Sequence, residues 1–313
     1  MKKKIFTMVC LAVLLLFGAK QETNAADNLV YGDFEYTVIE NGGAVRIKKY
    51  VGNDTIVTVP SEVEGKPVWY IGEAFYKNTT VRKVVLPEGV KVVSGFDGCT
   101  NLMEINIPQG VVKIDNFAFA NCEKLKKIDL PKGLLEIGDF AFYNCSALKE
   151  IVIPDSVKII EQVAFSGCTK LQKVTLPKSI SKIDWETFKD CVALKSINIP
   201  EGVKRIEDEA FSGCKALKKA TLPNSLVIIG DFAFYTSGLT KITIPKNVTY
   251  IGDDAFASCE KLKTVKIKSS KIKKIGVCAF LGISNKSVID VPNKCLKKYK
   301  KMMDLGYDSV KIK

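Results

Sequence analysis

Hydrophobic and polar positions follow a pattern that repeats about every 23 residues over most of the chain. The apolar positions of one unit are Leu125, Ile128, Leu130, Leu134, Ile137, Ala141, Phe142 and Cys145. Residues 125–130 end in strict alternation, which predicts a strand. Pro131 ends that strand because proline has no N–H for a ladder hydrogen bond, and Gly138 opens the next turn.

Phenylalanine and proline keep the same period. The phenylalanines that mark the units are Phe75, Phe96, Phe119, Phe142, Phe165, Phe188, Phe211, Phe234, Phe256 and Phe280. One such unit cannot enclose its own apolar side chains, whereas units stacked about 4.8 Å apart bury like residues on like. The sequence therefore predicts a β-rich solenoid of about ten coils of 23 residues, roughly 48 Å long.

The consensus Leu-x-x-Ile-x-Ile-Pro-x-x-Val-x-x-Ile-Gly-x-x-Ala-Phe-x-x-Cys over about residues 71–291 resembles the BspA-like bacterial leucine-rich repeat. The resemblance implies a leucine-rich repeat fold of the α/β class. It also implies a secreted or cell-surface protein, because the family includes adhesins that bind host extracellular-matrix proteins or other bacteria. The position two residues after the strand proline departs from many leucine-rich repeats. That position holds glycine or serine in most units, as in Gly133 and Ser156, and asparagine in one unit, at Asn247. A continuous asparagine ladder is therefore not expected.

Both ends of the chain differ from the repeat and predict four segments. Residues 1–25 combine Lys2 to Lys4, an apolar run over 5–17 and a small-residue exit, which is typical of a secretory signal peptide. Residues 26–68 are interpreted as a β-rich N-terminal cap with a hairpin whose turn is Asn41-Gly42-Gly43. Residues 69–291 form the solenoid. Residues 292–313 form a basic cap, in which Leu296, Tyr299 and Met303 define a helical face and a last strand follows.

Charge and composition narrow the classes of function. The chain has no histidine, which excludes Ser-His-Asp, Cys-His and histidine–metal chemistry. No phosphate-binding loop or patterned carboxylate pair occurs, so no enzyme and no cofactor are predicted. Acidic segments such as 207–209 and 253–254 lack the ligand spacing of a calcium loop and are interpreted as solvated turns.

The net charge of +13 is concentrated at the C-terminal end, where residues 259–313 hold 15 Lys against four acidic residues. That end is either a solvated cap or a contact with an anionic wall, membrane or polysaccharide. Nucleic acid is not an expected partner, since the chain has three Arg and an export signal. No transmembrane segment is expected after signal cleavage.

Seven cysteines occupy one column of the repeat: Cys99, Cys122, Cys145, Cys168, Cys191, Cys214 and Cys259. The periodicity favours buried free thiols, although one or two bridges between neighbouring coils remain open. Cys278 and Cys295 lie outside the column, and one of them is a candidate for a cross-link between chains. A spacing of 23 without histidine disfavours a zinc site.

A binding surface is expected at the exposed strand positions, because a solenoid presents them as a regular array. The candidate residues are Lys83, Glu104, Asn106, Lys127, Asp129, Glu150, Lys173, Thr175, Asn198, Lys219, Thr221 and Lys241. The alternative is that this face is only solvated sheet. Trp69, Tyr70, Tyr76 and Trp185 break the consensus and are either contact residues or fillers of the core and cap.

Together these observations predict an exported, non-enzymatic repeat protein. The expectation about its function comes from the family resemblance. Its expected role is protein recognition or adhesion at or outside the cell surface, with an extracellular or surface protein as ligand. The alternative is a structural envelope protein held to anionic polymers by its basic C-terminal end.

Overall fold

The computed structural model describes residues 29–303 and 310–313, so the predicted signal peptide lies outside the described residues. The chain is a β-solenoid of about eleven turns of about 23 residues, followed by a short helix. The predicted solenoid is thus confirmed, with one turn more than the phenylalanine markers indicate. The additional turn has a tyrosine, Tyr50, in the place of the marker, and its ring lies 5.4 Å from that of Phe75.

The N-terminal cap is an antiparallel sheet that runs directly into the solenoid. Strands β1 (Leu29–Tyr31), β2 (Phe34–Ile39) and β3 (Ala44–Tyr50) pair in order, and a 3₁₀ turn at Glu40–Gly42 joins the last two. This confirms the predicted hairpin. β3 then pairs in parallel with β6 (Lys66–Ile71), which itself forms a hairpin with β5 (Glu62–Val63).

The coils carry short strands on two sides of the solenoid, which we call the first and second parallel sheets. The first is divided into four separately hydrogen-bonded groups of strands, and the second is interrupted once. The strands of the first parallel sheet are β4 (Ile56–Thr58), β7 (Lys83–Val85), β9 (Glu104–Ile105), β12 (Glu150–Val152), β14 (Lys173–Thr175), β16 (Ser196–Asn198), β18 (Lys219–Thr221), β20 (Lys241–Ile244), β22 (Thr264–Ile267), β24 (Val288–Asp290) and β25 (Lys311–Ile312). The register joins equivalent positions, as in Ile151 opposite Val174.

The coil that contains residues 125–130, for which the sequence predicts a strand, contributes no strand to this sheet. Leu125 and Ile128 are buried and Asp129 is exposed, which fits the predicted pattern, but residues 125–130 do not form a strand. The carbonyl of Lys126 accepts the N–H of Lys149 at 3.3 Å, which is long for a backbone hydrogen bond. The strand prediction was therefore wrong at this coil, because side-chain burial keeps its period while the ladder is too loose.

The second parallel sheet follows each proline turn. After β6 its strands are β8 (Val92–Val93), β10 (Lys113–Ile114), β11 (Glu136–Ile137), β13 (Ile159–Ile160), β15 (Lys182–Ile183), β17 (Arg205–Ile206), β19 (Ile228–Ile229), β21 (Tyr250–Ile251) and β23 (Lys274–Ile275). From β10 onward only the isoleucine at the end of each short strand is buried, whereas both valines of β8 are buried.

A turn with two left-handed residues closes each coil around the Ala-Phe pair. In one coil these are Phe140 and Asn144, both at φ 56°. The turns also bond along the stack, since the N–H of Phe119 donates to the carbonyl of Ala141 at 2.8 Å. A Cβ at Gly138 would lie 2.8 Å from the backbone nitrogen of Asn116 in the preceding coil, so only glycine fits where the turn begins.

The core is a column of like residues. The ten marker phenylalanines are buried, and successive rings lie 5.0 to 5.5 Å apart with planes 2° to 14° from parallel. The cysteine column lies beside them, and every cysteine of the described residues is a free thiol. The predicted buried thiols are therefore confirmed.

The C-terminal end is closed by a 3₁₀ turn (Asn293–Cys295), by helix α1 (Leu296–Met302) and by β25. Tyr299 is fully buried, and its hydroxyl donates to the carbonyl of Ser269 at 3.0 Å and accepts the N–H of Ile272 at 3.2 Å. The predicted capping helix is confirmed. Cys295, one of the two candidates for a cross-link, is buried beneath it.

Candidate recognition surface

The Leu-x-x-Ile-x-Ile pattern decides which side chains the first parallel sheet exposes. Leucine and the two isoleucines of each coil point into the core, so the two residues between the first pair and the single residue between the second pair face solvent. Each coil therefore presents three exposed positions. Stacking in register turns these positions into three columns that run along the solenoid.

All twelve residues predicted for the binding surface lie in these columns and are exposed. Some already bind within the chain. Lys83 Nζ lies 3.0 Å from Glu104 Oε2, and Lys127 Nζ lies 2.9 Å from Asp129 Oδ2. Asn106 accepts the N–H of Leu86 at 2.8 Å and donates to its carbonyl at 2.9 Å, so its amide completes the ladder of the preceding coil.

The other predicted residues are Glu150, Lys173, Thr175, Asn198, Lys219, Thr221 and Lys241. Within residues 29–303 and 310–313 their side chains form no hydrogen bond or ion pair with the chain. The structure therefore places them on one exposed face. Whether they bind a partner stays a prediction.

A third exposed column was missed. It consists of Arg82, Met103, Lys126, Lys149, Gln172, Lys195, Lys218, Thr240 and Lys263. Simple alternation assigns this position to the inner face, but the coil bends between the leucine and the strand, so two consecutive side chains point outward. The Leu-x-x-Ile spacing was the available signal, since it leaves two residues between buried ones.

The columns together carry an array of lysines without ion-pair partners. We call this array the basic strip; its residues are Lys126, Lys149, Lys173, Lys195, Lys218, Lys219, Lys241 and Lys263. None of them pairs with a carboxylate of the described residues. In its middle lies a shallow, open groove of about 690 Å³ lined by Lys126, Lys127, Lys149, Glu150, Gln172, Lys173, Lys195 and Ser196.

On the second parallel sheet the basic residues within the strands from β10 onward are paired. Lys113 Nζ lies 3.1 Å from Asp115 and 3.0 Å from Glu136, and Arg205 pairs with Glu207. Burial disfavours the charged form of Lys113, yet the two carboxylates outweigh burial and raise its pKa. The lysines that directly precede the strands of this sheet form no ion pair among the described residues; they are Lys91, Lys158, Lys204 and Lys273.

The acidic turn segments also act within the fold, which corrects their interpretation as merely solvated turns. Asp208 Oδ1 accepts the N–H of Asp231 at 2.8 Å, and Asp253 Oδ1 accepts the N–H of Val277 at 2.9 Å. Each carboxylate therefore caps the turn of the following coil. No group of three or more potential metal ligands occurs among the residues that the structure describes.

The aromatic residues outside the consensus take different places. Tyr70 donates to Asp115 Oδ2 at 2.9 Å beneath the guanidinium of Arg46, and burial raises the pKa of its phenol to about 12. Trp69 is partly buried on the same strand, β6. Tyr76 and Trp185 are 51% and 40% exposed. The first two therefore belong to the packed cap end, and the last two are available at the surface.

Further exposed aromatic rings were missed by the sequence analysis. Phe117 and Phe140 stack at 4.8 Å, and Tyr143 meets Phe140 edge to face at 5.8 Å. They lie at the left-handed turn, not on the first parallel sheet. The signal for Phe117 and Phe140 was an aromatic residue directly before the Ala-Phe pair, and for Tyr143 an aromatic residue directly after it.

The column cysteines are poor nucleophiles. Burial raises the pKa of Cys99 and Cys168 to about 12, and it raises the pKa of Cys145 well above its ordinary range. A thiol that remains protonated at neutral pH neither attacks an electrophile nor binds a metal effectively. These residues therefore serve packing.

The described part of the chain has no helix of the length and apolarity that crossing a membrane requires.

Comparison with solved structures finds other bacterial leucine-rich repeat proteins. A leucine-rich repeat protein from Bacteroides ovatus ATCC 8483 is 29% identical, with a TM-score of 0.78 over 92% of this chain and 77% of that one. The T. pallidum leucine-rich repeat protein TpLRR is also 29% identical, with a TM-score of 0.51 over 75% of this chain and 91% of that one. A search of curated proteins finds no match.

The family comparison agrees with the coil geometry. The model of the BspA type leucine-rich repeat region matches residues 69–195 and 181–302 in six copies. These ranges contain nearly all of the coils that form the phenylalanine and cysteine columns. With its repeat consensus, solenoid fold and family match in agreement, the chain belongs to the BspA-type leucine-rich repeat family.

Proposed function

We propose that this protein is an exported, non-enzymatic adhesion module that recognises an extracellular or surface protein through the first parallel sheet. Leucine-rich repeat proteins are in general non-enzymatic scaffolds for interaction, which supports this class of function. Export and a surface location are supported by the signal-peptide pattern of residues 1–25 and by family membership.

One observation carries the proposal: the predicted face is exposed, polar and in register from coil to coil, over a core that the chain itself closes. Seven of the predicted side chains form no hydrogen bond or ion pair with the described residues, so they are available to contact a partner. Since stacked coils hold equivalent side chains about 4.8 Å apart, an extended partner meets a rigid, repeated array.

The alternative is attachment of a structural protein to anionic wall or membrane polymers through the C-terminal cap. The C-terminal helix supports this alternative. Helix α1 exposes Lys297, Lys300 and Lys301, and the buried Tyr299 anchors the helix to the core. Removal of residues 294–313 would open the end of the core, so charge reversal is the cleaner test.

The experiment is a pull-down of extracellular-matrix, mucin and envelope fractions on the purified protein at low and high salt. Three proteins are compared: the wild type, a strand-face variant with Lys127→Glu, Glu150→Lys and Lys173→Glu, and a tail variant with Lys297→Glu, Lys300→Glu and Lys301→Glu. We expect the wild type and the tail variant to retain a defined protein, and the strand-face variant to lose it.

Loss of retention only in the tail variant, with full release at high salt, would contradict the proposal and support envelope attachment. Absence of a retained protein from every fraction would contradict recognition by this face altogether.

A further inference from the structure

Lysines without an ion pair are denser on the first parallel sheet than on the second. Within the strands of the second sheet Lys113, Lys182 and Lys274 each lie within ion-pair distance of a carboxylate. Four lysines that directly precede its strands form no ion pair among the described residues: Lys91, Lys158, Lys204 and Lys273. On the first sheet the eight lysines of the basic strip have no such partner in the described residues. The coil geometry provides a neighbouring position for a carboxylate on both sheets, since Lys127 pairs with Asp129 on the first.

The spacing of the strip makes its charges act together. Equivalent residues on adjacent coils of a parallel sheet lie about 4.8 Å apart, well within the Debye length of about 8 Å at physiological ionic strength. Their potentials therefore add along the strip, over roughly 29 Å from Lys126 to Lys263. A linear polyanion laid along the strip would relieve the repulsion among these side chains.

The residue types on the strip distinguish between kinds of partner. The energetic centres of protein interfaces are rich in Trp, Tyr and Arg, and lysine is depleted there. Between 126 and 266 the three columns contain no aromatic residue and no arginine. Val152 is the single large apolar side chain exposed in this stretch of the columns. A partner held by apolar anchors therefore finds little to bind on this part of the face.

The lack of aromatic and arginine residues in these columns also argues against nucleic acid as the partner, because single strands bind by stacking their bases on such side chains. The positions between the lysines instead carry hydroxyl and amide groups, including Gln172, Thr175, Asn198 and Thr221. Such groups donate to and accept from sugar hydroxyls. The array is complementary to a chain that alternates anionic groups with hydroxyl groups.

We propose that the basic strip binds an acidic polysaccharide, sulfated or carboxylated, along the axis of the solenoid. The inference goes beyond the proposed function, since it assigns an acidic glycan as a further partner of the same sheet, beside a protein. The shallow groove at Lys149, Gln172 and Lys195 is its centre.

The test compares two variants of equal charge on the whole protein. The strip variant carries Lys126→Glu, Lys149→Glu, Lys195→Glu and Lys218→Glu, and the control carries Lys294→Glu, Lys297→Glu, Lys300→Glu and Lys301→Glu. All eight side chains are exposed, and circular dichroism checks that both variants are folded. Binding is measured at 150 mM salt to heparin, hyaluronan, neutral dextran, polyglutamate and single-stranded DNA.

We expect the wild type and the control to bind heparin or hyaluronan, and the strip variant to bind about tenfold or more weakly, with a reduced dependence on salt. Dextran binds none of them. The choice between heparin and hyaluronan identifies sulfate or carboxylate as the anionic group.

Equal losses in both variants would show a response to net charge and overturn the proposal, as would the absence of binding to either polysaccharide. Equal or tighter binding of polyglutamate or DNA through the same strip would overturn the polysaccharide class. If the strip variant binds the polysaccharides as tightly as the wild type while the strand-face variant loses its retained protein, the inference fails and the proposed function stands. If the wild type retains no protein from any fraction, the proposed function fails, whatever the result of the polysaccharide assay.

Discussion

The thiol of Cys145 donates a hydrogen bond to the backbone carbonyl of Phe119, 26 residues earlier, with Sγ and O 3.1 Å apart. The same relation recurs along the column, for example between Cys168 and Phe142. It ties the cysteine column to the phenylalanine column one coil before it. The carbonyl of Phe119 also accepts the N–H of Cys122 at 3.2 Å within its own turn. The periodic cysteine thus supplies a small, buried side chain whose thiol is a second donor to that carbonyl.

A first prediction concerns that donor. Cys145→Ser keeps a donor at the site, whereas Cys145→Ala leaves the carbonyl of Phe119 with the N–H of Cys122 as its remaining donor. We expect the alanine variant to have a free energy of unfolding about 0.5 to 1 kcal/mol lower than the serine variant, because one net hydrogen bond is lost. Urea denaturation measures the difference. Ser237 already occupies the equivalent place in one coil, buried and in contact with Cys259 Sγ. Equal stability of the two variants would show that the bond contributes nothing.

The phenylalanine column provides a second prediction. Phe165 is fully buried between Phe142 and Phe188, with ring centroids 5.2 and 5.5 Å away. We expect Phe165→Ala to lower the free energy of unfolding by about 3 to 5 kcal/mol, because it removes a large core side chain and leaves a cavity.

The matched control for this change is Phe117→Ala, which also removes a stacked ring, but one that is 47% exposed. Its expected cost is below about 1 kcal/mol, measured in the same urea titrations. Similar costs for the two changes would mean that the buried column is not the principal stabilising element.

The third prediction is a decrease of stability at alkaline pH. Burial raises the pKa of Cys168 to about 12 from an ordinary value of 9.0, so the unfolded chain releases this proton at a lower pH than the folded chain. The contribution of the buried, protonated Cys168 thiol to the free energy of unfolding is fully present below about pH 9. It is lost as the pH rises toward 12. Each such thiol lowers the free energy of unfolding by up to about 1.4 kcal/mol per pH unit in that range.

Urea titrations between pH 8 and pH 11 test this on the wild type and on Cys168→Ser, whose hydroxyl does not titrate there. The variant is expected to show a shallower fall of stability with pH. An unchanged slope would indicate that the thiol ionises equally in both states.

The fourth prediction concerns the C-terminal cap. Tyr299→Phe removes the hydroxyl that bonds the carbonyl of Ser269 and the N–H of Ile272, and it leaves both groups buried. We expect a loss of about 1 to 3 kcal/mol, concentrated in the last coils. Hydrogen exchange reports it as faster exchange of the Ile272 amide, with the amide of Phe119 as an internal reference. Uniform acceleration of both amides would instead indicate a global effect.

Much of the fold could be predicted because the repeat leaves few alternatives. The apolar positions that precede Phe142 and Cys145 recur in register, and only stacking buries all of them. The hairpin around Asn41 and the helix face at Tyr299 were also readable, since turn residues and a helical period are local signals. The surface was predicted less completely. Lys126 and Lys149 were missed because a bend in the backbone, not the alternation, turns them outward.

The sequence by itself determined the period, the identity of the buried columns, the family resemblance and the absence of histidine chemistry. The tertiary structure decided how the charged residues are used. Asp208 and Asp253 cap the next coil, Lys113 and Lys274 within the second sheet meet carboxylates, and the lysines of the basic strip do not. Such pairings join residues about one coil apart in sequence or two apart on a strand. Whether two such residues pair depends on a distance of a few ångströms between their charged atoms. The stacking of the coils determines that distance, and the pattern of residue types does not contain it.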